Sequence, residues 1–163
     1  MTNVTHVVGV DTGLVTTGVV RMVFRSKQQA IEISHEAVKG PDSKAVKDWV
    51  ENPLNVKVPP AVYIEAYNPR HHYKQDQRMV ISVQAMRQFT GGTVLPNTAV
   101  KKVVRRGLME LVGVWSFGTV THHQDLRSAA RIALLGMLKD QQMNQLLADV
   151  VRDHLAGDTW SVS

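Results

Sequence analysis

An α/β fold built on a mixed five-stranded sheet is what this chain of 163 residues predicts. Three observations lead there. Three strand-like segments follow one another at the start, two short apolar segments further on alternate with helical patterns, and a long 3.6-residue periodicity occupies the later part.

In chain order, "HVVGVDTG" crowds apolar residues and ends near Asp11. The next segment, "TTGVVRMVF", is again rich in Val with Met and Phe, so two strands joined by a turn over Gly13 to Gly18 are expected. "QAIEISHEAV" alternates Ile31 and Ile33 with Glu32 and Ser34, the pattern of a strand with one wet face, and completes an antiparallel meander. "GPDSKAVKDWVENP" reads as a short helix, with Asp42 and Ser43 as candidate caps, Val46 and Trp49 at helical spacing and Pro53 as a stop. After Pro59 and Pro60, "AVYIEAY" is a compact strand that brings a second carboxylate, Glu65, to a strand end.

Met79, Val80, Val83, Met86 and Arg87 predict a helix from about Tyr73 to Phe89, ended by Gly91-Gly92. "GTVLP" follows as a short strand. Thr98 is the expected cap of a helix through "AVKKVV", and Gly107 is expected to separate it from a turn or helix ending near Trp115. Leu126, Ala130, Ala133, Leu134, Met137 and Leu138 then mark a long amphipathic helix that begins close to Asp125. Leu146, Leu147, Val150, Val151 and Leu155 continue a helical stripe through residues 140–163, with Gly157 as its stop, so this tail is expected to be a helical extension packed on a single domain.

Composition narrows the function classes. The absence of cysteine excludes disulfides, thiolate zinc sites and cysteine nucleophiles together. No signal-peptide pattern opens the chain, and no apolar run approaches the roughly 20 residues that span a bilayer, so a cytoplasmic protein is expected. The net charge of +5 is concentrated: residues 70–106 hold eight Lys or Arg against one acid, whereas the remaining 11 basic and 13 acidic residues sum to −2. A local basic surface attracts polyanions through counterion release, nucleic acid first and anionic membrane second; a solvated helix face is the plain alternative.

Asp11 and Glu65 each close a predicted inner strand, and Asp125 opens a predicted core-packed helix, which are the places where ligand sites gather in α/β sheets. Carboxylates meeting in an apolar setting repel one another and are driven to protonate unless a hard cation sits between them. Mg²⁺ or Mn²⁺ takes oxygen ligands, and two such ions about 4 Å apart hold a phosphodiester and activate water. Each acid also has a smaller explanation: an Asx turn for Asp11, an ion pair with Arg70 or Lys74 for Glu65, and a helix-dipole interaction for Asp125. Their combination with the basic segment favours the shared site.

The segments "GVDTGLVTTG", "YIEAY", "NTAVKKVV" and "DLRSAARIAL", in that order over residues 6–139, resemble the RuvC family of Holliday junction resolvases, within the RNase H-like superfamily. The resemblance implies an RNase H-like fold with helices on both faces of the sheet. It implies a homodimer that cuts four-way and other branched DNA with Mg²⁺ or Mn²⁺, two ions per site. By this likeness Asp11, Glu65 and Asp125 are catalytic metal ligands and Lys101 is a catalytic cation at the scissile phosphate. The helix from Tyr73 to Phe89 becomes the dimer interface. The resemblance also suggests a short member of bacteriophage type, acting in host cytoplasm.

Two departures stand out. The family's D-x-x-D-A motif reads Asp125-Leu126-Arg127-Ser128-Ala129, so Ser128 takes a carboxylate position, and a hydroxyl is the weaker ligand. His122 is a candidate to complete the shell or position water, or else it is a loop residue without a role. Where the family carries an aromatic three positions after the Glu, Asn68 stands; Tyr67 or Tyr73 is the candidate replacement for stacking on an unpaired base, with an ordinary core or surface tyrosine as the equal alternative. Arg70, Lys74, Lys102, Arg105, Arg106 and Arg127 complete the expected DNA-contacting set as backbone contacts. Two rival functions remain open at this stage: a junction-binding protein without effective catalysis, prompted by Ser128, and an actin-like phosphotransferase, prompted by the Asp-x-Gly loop. The second needs two related domains, and this chain has length for one.

Overall fold

The computed structural model describes residues 3–52, 55–69, 74–118 and 121–163. Its first three strands, β1 (Val4–Asp11), β2 (Thr16–Arg25) and β3 (Ala30–Lys39), form the expected antiparallel meander. The turn between β1 and β2 is tighter than the glycines suggest. Thr16, Thr17 and Gly18 already belong to β2, and Gly18 pairs with Asp11.

Two further strands lie parallel to β1 on its other side: β4 (Ala61–Glu65), reached after helix α1 (Ser43–Glu51), and β5 (Thr93–Leu95), reached after helix α2 (Gln77–Thr90). Four helices follow: α3 (Val100–Val103), α4 (Arg106–Leu111), α5 (His123–Lys139) and α6 (Gln141–Leu155). A last strand, β6 (Ser161–Val162), pairs with the start of β3, so the sheet has six strands in the order β5-β4-β1-β2-β3-β6 rather than five. Trp160 anchors this addition: its ring is buried and its Nε1 donates to Asp153 of α6 at 2.8 Å.

Side chains alternate across the sheet and build two cores. Val7, Val20, Met22, Phe24 and Ile31 face α4, α5 and α6, while Val8, Val10, Val19, Val62 and Ile64 face α1 and α2. Because β1 and β2 are covered on both faces, they read as nearly continuous apolar runs. Arg21 is the exception. Only 7% exposed, it points at the end of α1, where it donates to the carbonyls of Trp49 and Val50, stacks on the Trp49 ring and donates through Nε to His6 at 2.9 Å. The guanidinium thus satisfies carbonyls that a helix end leaves without partners. Since His6 Nε2 accepts from Arg21, its proton sits on Nδ1, which faces the Val58 carbonyl at 3.0 Å.

The helix starts follow chemistry that the sequence only partly announces. Asp42 caps α1 by accepting from the Ala45 N–H, as expected. Helix α2 begins at Gln77, later than Tyr73, because Asp76 accepts from the Arg78 N–H and sets the start. Thr98 makes no cap for α3; Ala99, at φ 59°, turns the chain into it. Gly107 lies inside α4 and separates nothing.

Helix α5 crosses the sheet at very short range, and two glycines make room for it. A Cβ on Gly9 would collide with the Ala129 carbonyl, and one on Gly18 would stand 2.7 Å from the Asp125 carbonyl oxygen. The approach lays the first turn of α5 over the rung where Asp11 pairs with Gly18.

Candidate active site

The parallel pairing of β1 with β4 sets Val10 beside Ile64, so the next residue on each strand, Asp11 and Glu65, emerges at the same sheet end. Both belong to the face that α5 covers, since Val10 and Ile64 point to the opposite core. The two carboxyl groups lie within hydrogen-bonding reach, and Asp125 adds its charge from the first turn of α5. Burial, then repulsion from Glu65 and Asp125, pushes the Asp11 carboxyl up to about 9. The Asp11 carboxyl is thus held in its protonated form at neutral pH.

Glu65 also faces outward into a cleft of about 440 Å³ lined by Asn97, Lys101, Lys102, Ser128 and Arg131 among others. Asn97 follows β5, and its Nδ2 donates to Glu65 Oε1 at 2.7 Å, which fixes the carboxylate. Ser128 stands one turn beyond Asp125 on α5, in the same cleft wall. Lys101 and Lys102 reach this cleft from α3 and are exposed. His122 precedes α5 with its Nδ1 3.7 Å from Asp125 Oδ2, too long for a hydrogen bond but close enough for a charge interaction.

Asp11, Glu65, Asp125, Lys101, Lys102, Ser128 and His122 therefore gather at one end of the sheet, although they are not drawn tight. Among the described residues no three His, Asp or Glu side chains form a ready-made cation cage. The remaining candidates separate. Arg127 and Arg106 lie against the Trp115 ring, with Arg106 also paired to Glu110 at 2.6 Å. Arg105 is exposed and folds back on the Lys102 carbonyl, and Lys74 is exposed ahead of α2. Tyr67 packs its half-buried ring against the Val83 and Met86 core, and its hydroxyl accepts from the Asp76 N–H at 3.1 Å, which ties it to the start of α2. Arg70 and Tyr73 lie outside the described residues.

Asn97 and Trp115 escaped the sequence reading. A polar residue two positions past a short strand becomes a site candidate only when that strand is known to lie parallel to β4 and next to it. Trp115 read only as the neighbourhood where a turn or helix ends.

No protein-family model and no curated protein matches the chain. Solved structures do. RuvC of Thermus thermophilus aligns with a TM-score of 0.55 at 17% identity, over 79% of this chain and 91% of its own. The T. thermophilus RuvC complex with a Holliday junction substrate aligns with a TM-score of 0.55 at 14% identity, over 80% of this chain and 90% of that one. With its mixed sheet, covered on both faces and carrying Asp11 at the end of the central β1, the chain has the RNase H-like fold of RuvC.

Proposed function

We propose that this protein is a structure-selective, metal-dependent endodeoxyribonuclease that resolves Holliday junctions and other branched DNA. The observation that carries the reading is the convergence of Asp11, Glu65 and Asp125, from residues far apart in the chain, beside a cleft lined with lysine. An all-oxygen donor set with excess negative charge fits a hard divalent cation, and the raised Asp11 carboxyl is what such a set looks like without one. Asp11, Glu65 and Asp125, helped by the Ser128 hydroxyl, would hold one or two Mg²⁺ or Mn²⁺ ions, whose chemistry there is to acidify water and neutralise charge on the phosphate.

The chain's own residues supply the rest. Asn97 keeps Glu65 turned to the cleft, so that its carboxylate needs no reorganisation when a ligand arrives. Lys101 offers an ammonium to a non-bridging phosphate oxygen in the same cleft. His122, exposed beside Asp125, would orient the attacking water and take its proton. Lys102, Arg105, Arg106 and Arg127 hold the backbone of the DNA without reading its sequence.

The T. thermophilus complex supports a four-way junction as the substrate, through the shared fold alone. Two symmetric cuts need two sites, which favours a C2 dimer. Helix α2 suits that interface because Ile81, 64% exposed, and Phe89, 45% exposed, stand eight residues apart on its outer side.

The test is to incubate labelled four-way, Y-shaped, flap and linear duplexes with the protein, with and without Mg²⁺ or Mn²⁺. Cutting of the branched substrates only, dependent on the metal and abolished in Asp11→Asn while binding persists, is the expected result. Junction DNA that is bound but left whole in either metal would instead support a binding protein without catalysis, the reading that Ser128 favours.

A further inference from the structure

Three arginines crowd one indole at the flank of the cleft. The Arg127 guanidinium lies 3.9 Å from the centre of the Trp115 ring, that of Arg106 at 4.6 Å and that of Arg131 at 5.9 Å. Arg127 is held twice by the same residue, since its Nε also donates to the Trp115 carbonyl at 2.6 Å. Arg131, one turn further along α5, donates from Nε to the Val104 carbonyl at 3.2 Å. Both are thus fixed through Nε, and among the described residues their outer nitrogens make no hydrogen bond.

A carboxylate would be the ordinary way to neutralise such a group. Arg106 has one in Glu110. Among the described residues no acid pairs with Arg127 or Arg131. The two cations disfavour each other: burial and then the charge of Arg127 lower the Arg131 guanidinium from its ordinary value. Like charges fixed side by side, with backbone carbonyls and a ring face as their only partners among the described residues, form a seat for an external anion. The planar forks match the oxygens of a phosphate.

The position identifies the anion. Arg131 lines the cleft that also holds Glu65, Lys101 and Ser128, and six residues of α5 separate it from Asp125. That is about 9 Å of helix at 1.5 Å per residue, so an anion seated there is a different phosphate of the strand from the one at the acids.

We propose that Arg127 and Arg131 form a second phosphate seat, which grips the DNA backbone beside the acidic site, with Trp115 as the residue that positions both guanidiniums. The inference rests on the nucleic-acid reading above and adds to it a defined subsite. Trp115 acts through the arginines, by fixing their planes before DNA arrives.

Binding of a four-way junction without divalent ions, measured across a salt series, tests the seat. Each lost phosphate contact lowers the slope of log K against log salt by about 0.9, so Arg127→Gln with Arg131→Gln should lower it by about 1.8. Trp115→Leu keeps every cation and should weaken binding several-fold, with Trp115→Phe restoring it because a phenyl face still stacks. Should Trp115→Leu fail to fold, the arginine pair decides alone, since both changes keep the aliphatic stems. A wild-type protein that binds junctions with a slope unaltered in the double variant would overturn the seat and leave the nuclease reading standing. A wild-type protein that binds no DNA would overturn both.

Discussion

Burial and neighbouring acids favour the protonated form of the carboxyl group at the end of β1. Asp11 is buried between Glu65 and Asp125, and its ionisation is deferred from the ordinary 3.8 to about 9. The sign of the consequence follows from proton counting. Between those two values the folded protein holds a proton that the unfolded chain has lost, so without metal the fold is progressively destabilised as pH rises through that window. Asp11→Asn removes the ionisation and should flatten the dependence. Melting temperatures of both proteins in chelator, followed from acid to mildly alkaline pH, should fall more steeply for the wild type; parallel curves would remove the buried repulsion from the account. Asn97 belongs to the same scale, because one amide decides which way Glu65 faces.

At the scale of elements, the contact between α5 and the sheet does the positioning. Gly9 and Gly18 let the helix backbone lie against β1 and β2, which delivers Asp125 to Asp11 and places Ser128 and Arg131 along the cleft. A methyl group at residue 9 meets the Ala129 carbonyl, which cannot retreat without lifting the helix. Gly9→Ala should therefore cost about 3 kcal/mol or more by overpacking, measurable by denaturant unfolding, and should reduce cutting further than the folded fraction explains. Much of this was legible in the sequence. Strand β3 follows from a period-two pattern, β1, β2, β4 and β5 from short apolar runs and α5 from a 3.6 pattern, and the ends of β1 and β4 pointed to Asp11 and Glu65. The misses have physical reasons. Thr98 was passed over because Ala99 takes a left-handed turn, and Gly107 entered α4 because that helix is short and exposed on the glycine side. Strand β6 is two residues long and depends on the buried Trp160, a tertiary contact without a periodic signal. The sequence left Tyr67 between a base and a core because a tyrosine offers its ring to either, and its packing against the α2 side of the sheet is a tertiary contact without a sequence signal.

At the scale of the whole molecule, the fold divides the basic segment that looks continuous in the chain. Arg78 and Arg87 ride on α2, and Lys101, Lys102, Arg105 and Arg106 sit on or beside α3 and α4, with the two lysines in the cleft wall. The cationic surface at the site is completed by Arg127 and Arg131, which lie outside that segment. Among the described residues no helix is long and apolar enough to cross a membrane, and the molecule's marked polarity is this pairing of a cationic flank with an acidic sheet end. Such an arrangement draws a phosphate backbone inward and leaves the acids to be neutralised by cations. Whether they are is the question on which everything else depends. Melting of the wild type and of Asp11→Asn at neutral pH, without and with millimolar Mn²⁺, asks it directly: the account predicts a rise of several degrees in the wild type that the variant lacks, and equal shifts, or none in either protein, would contradict it.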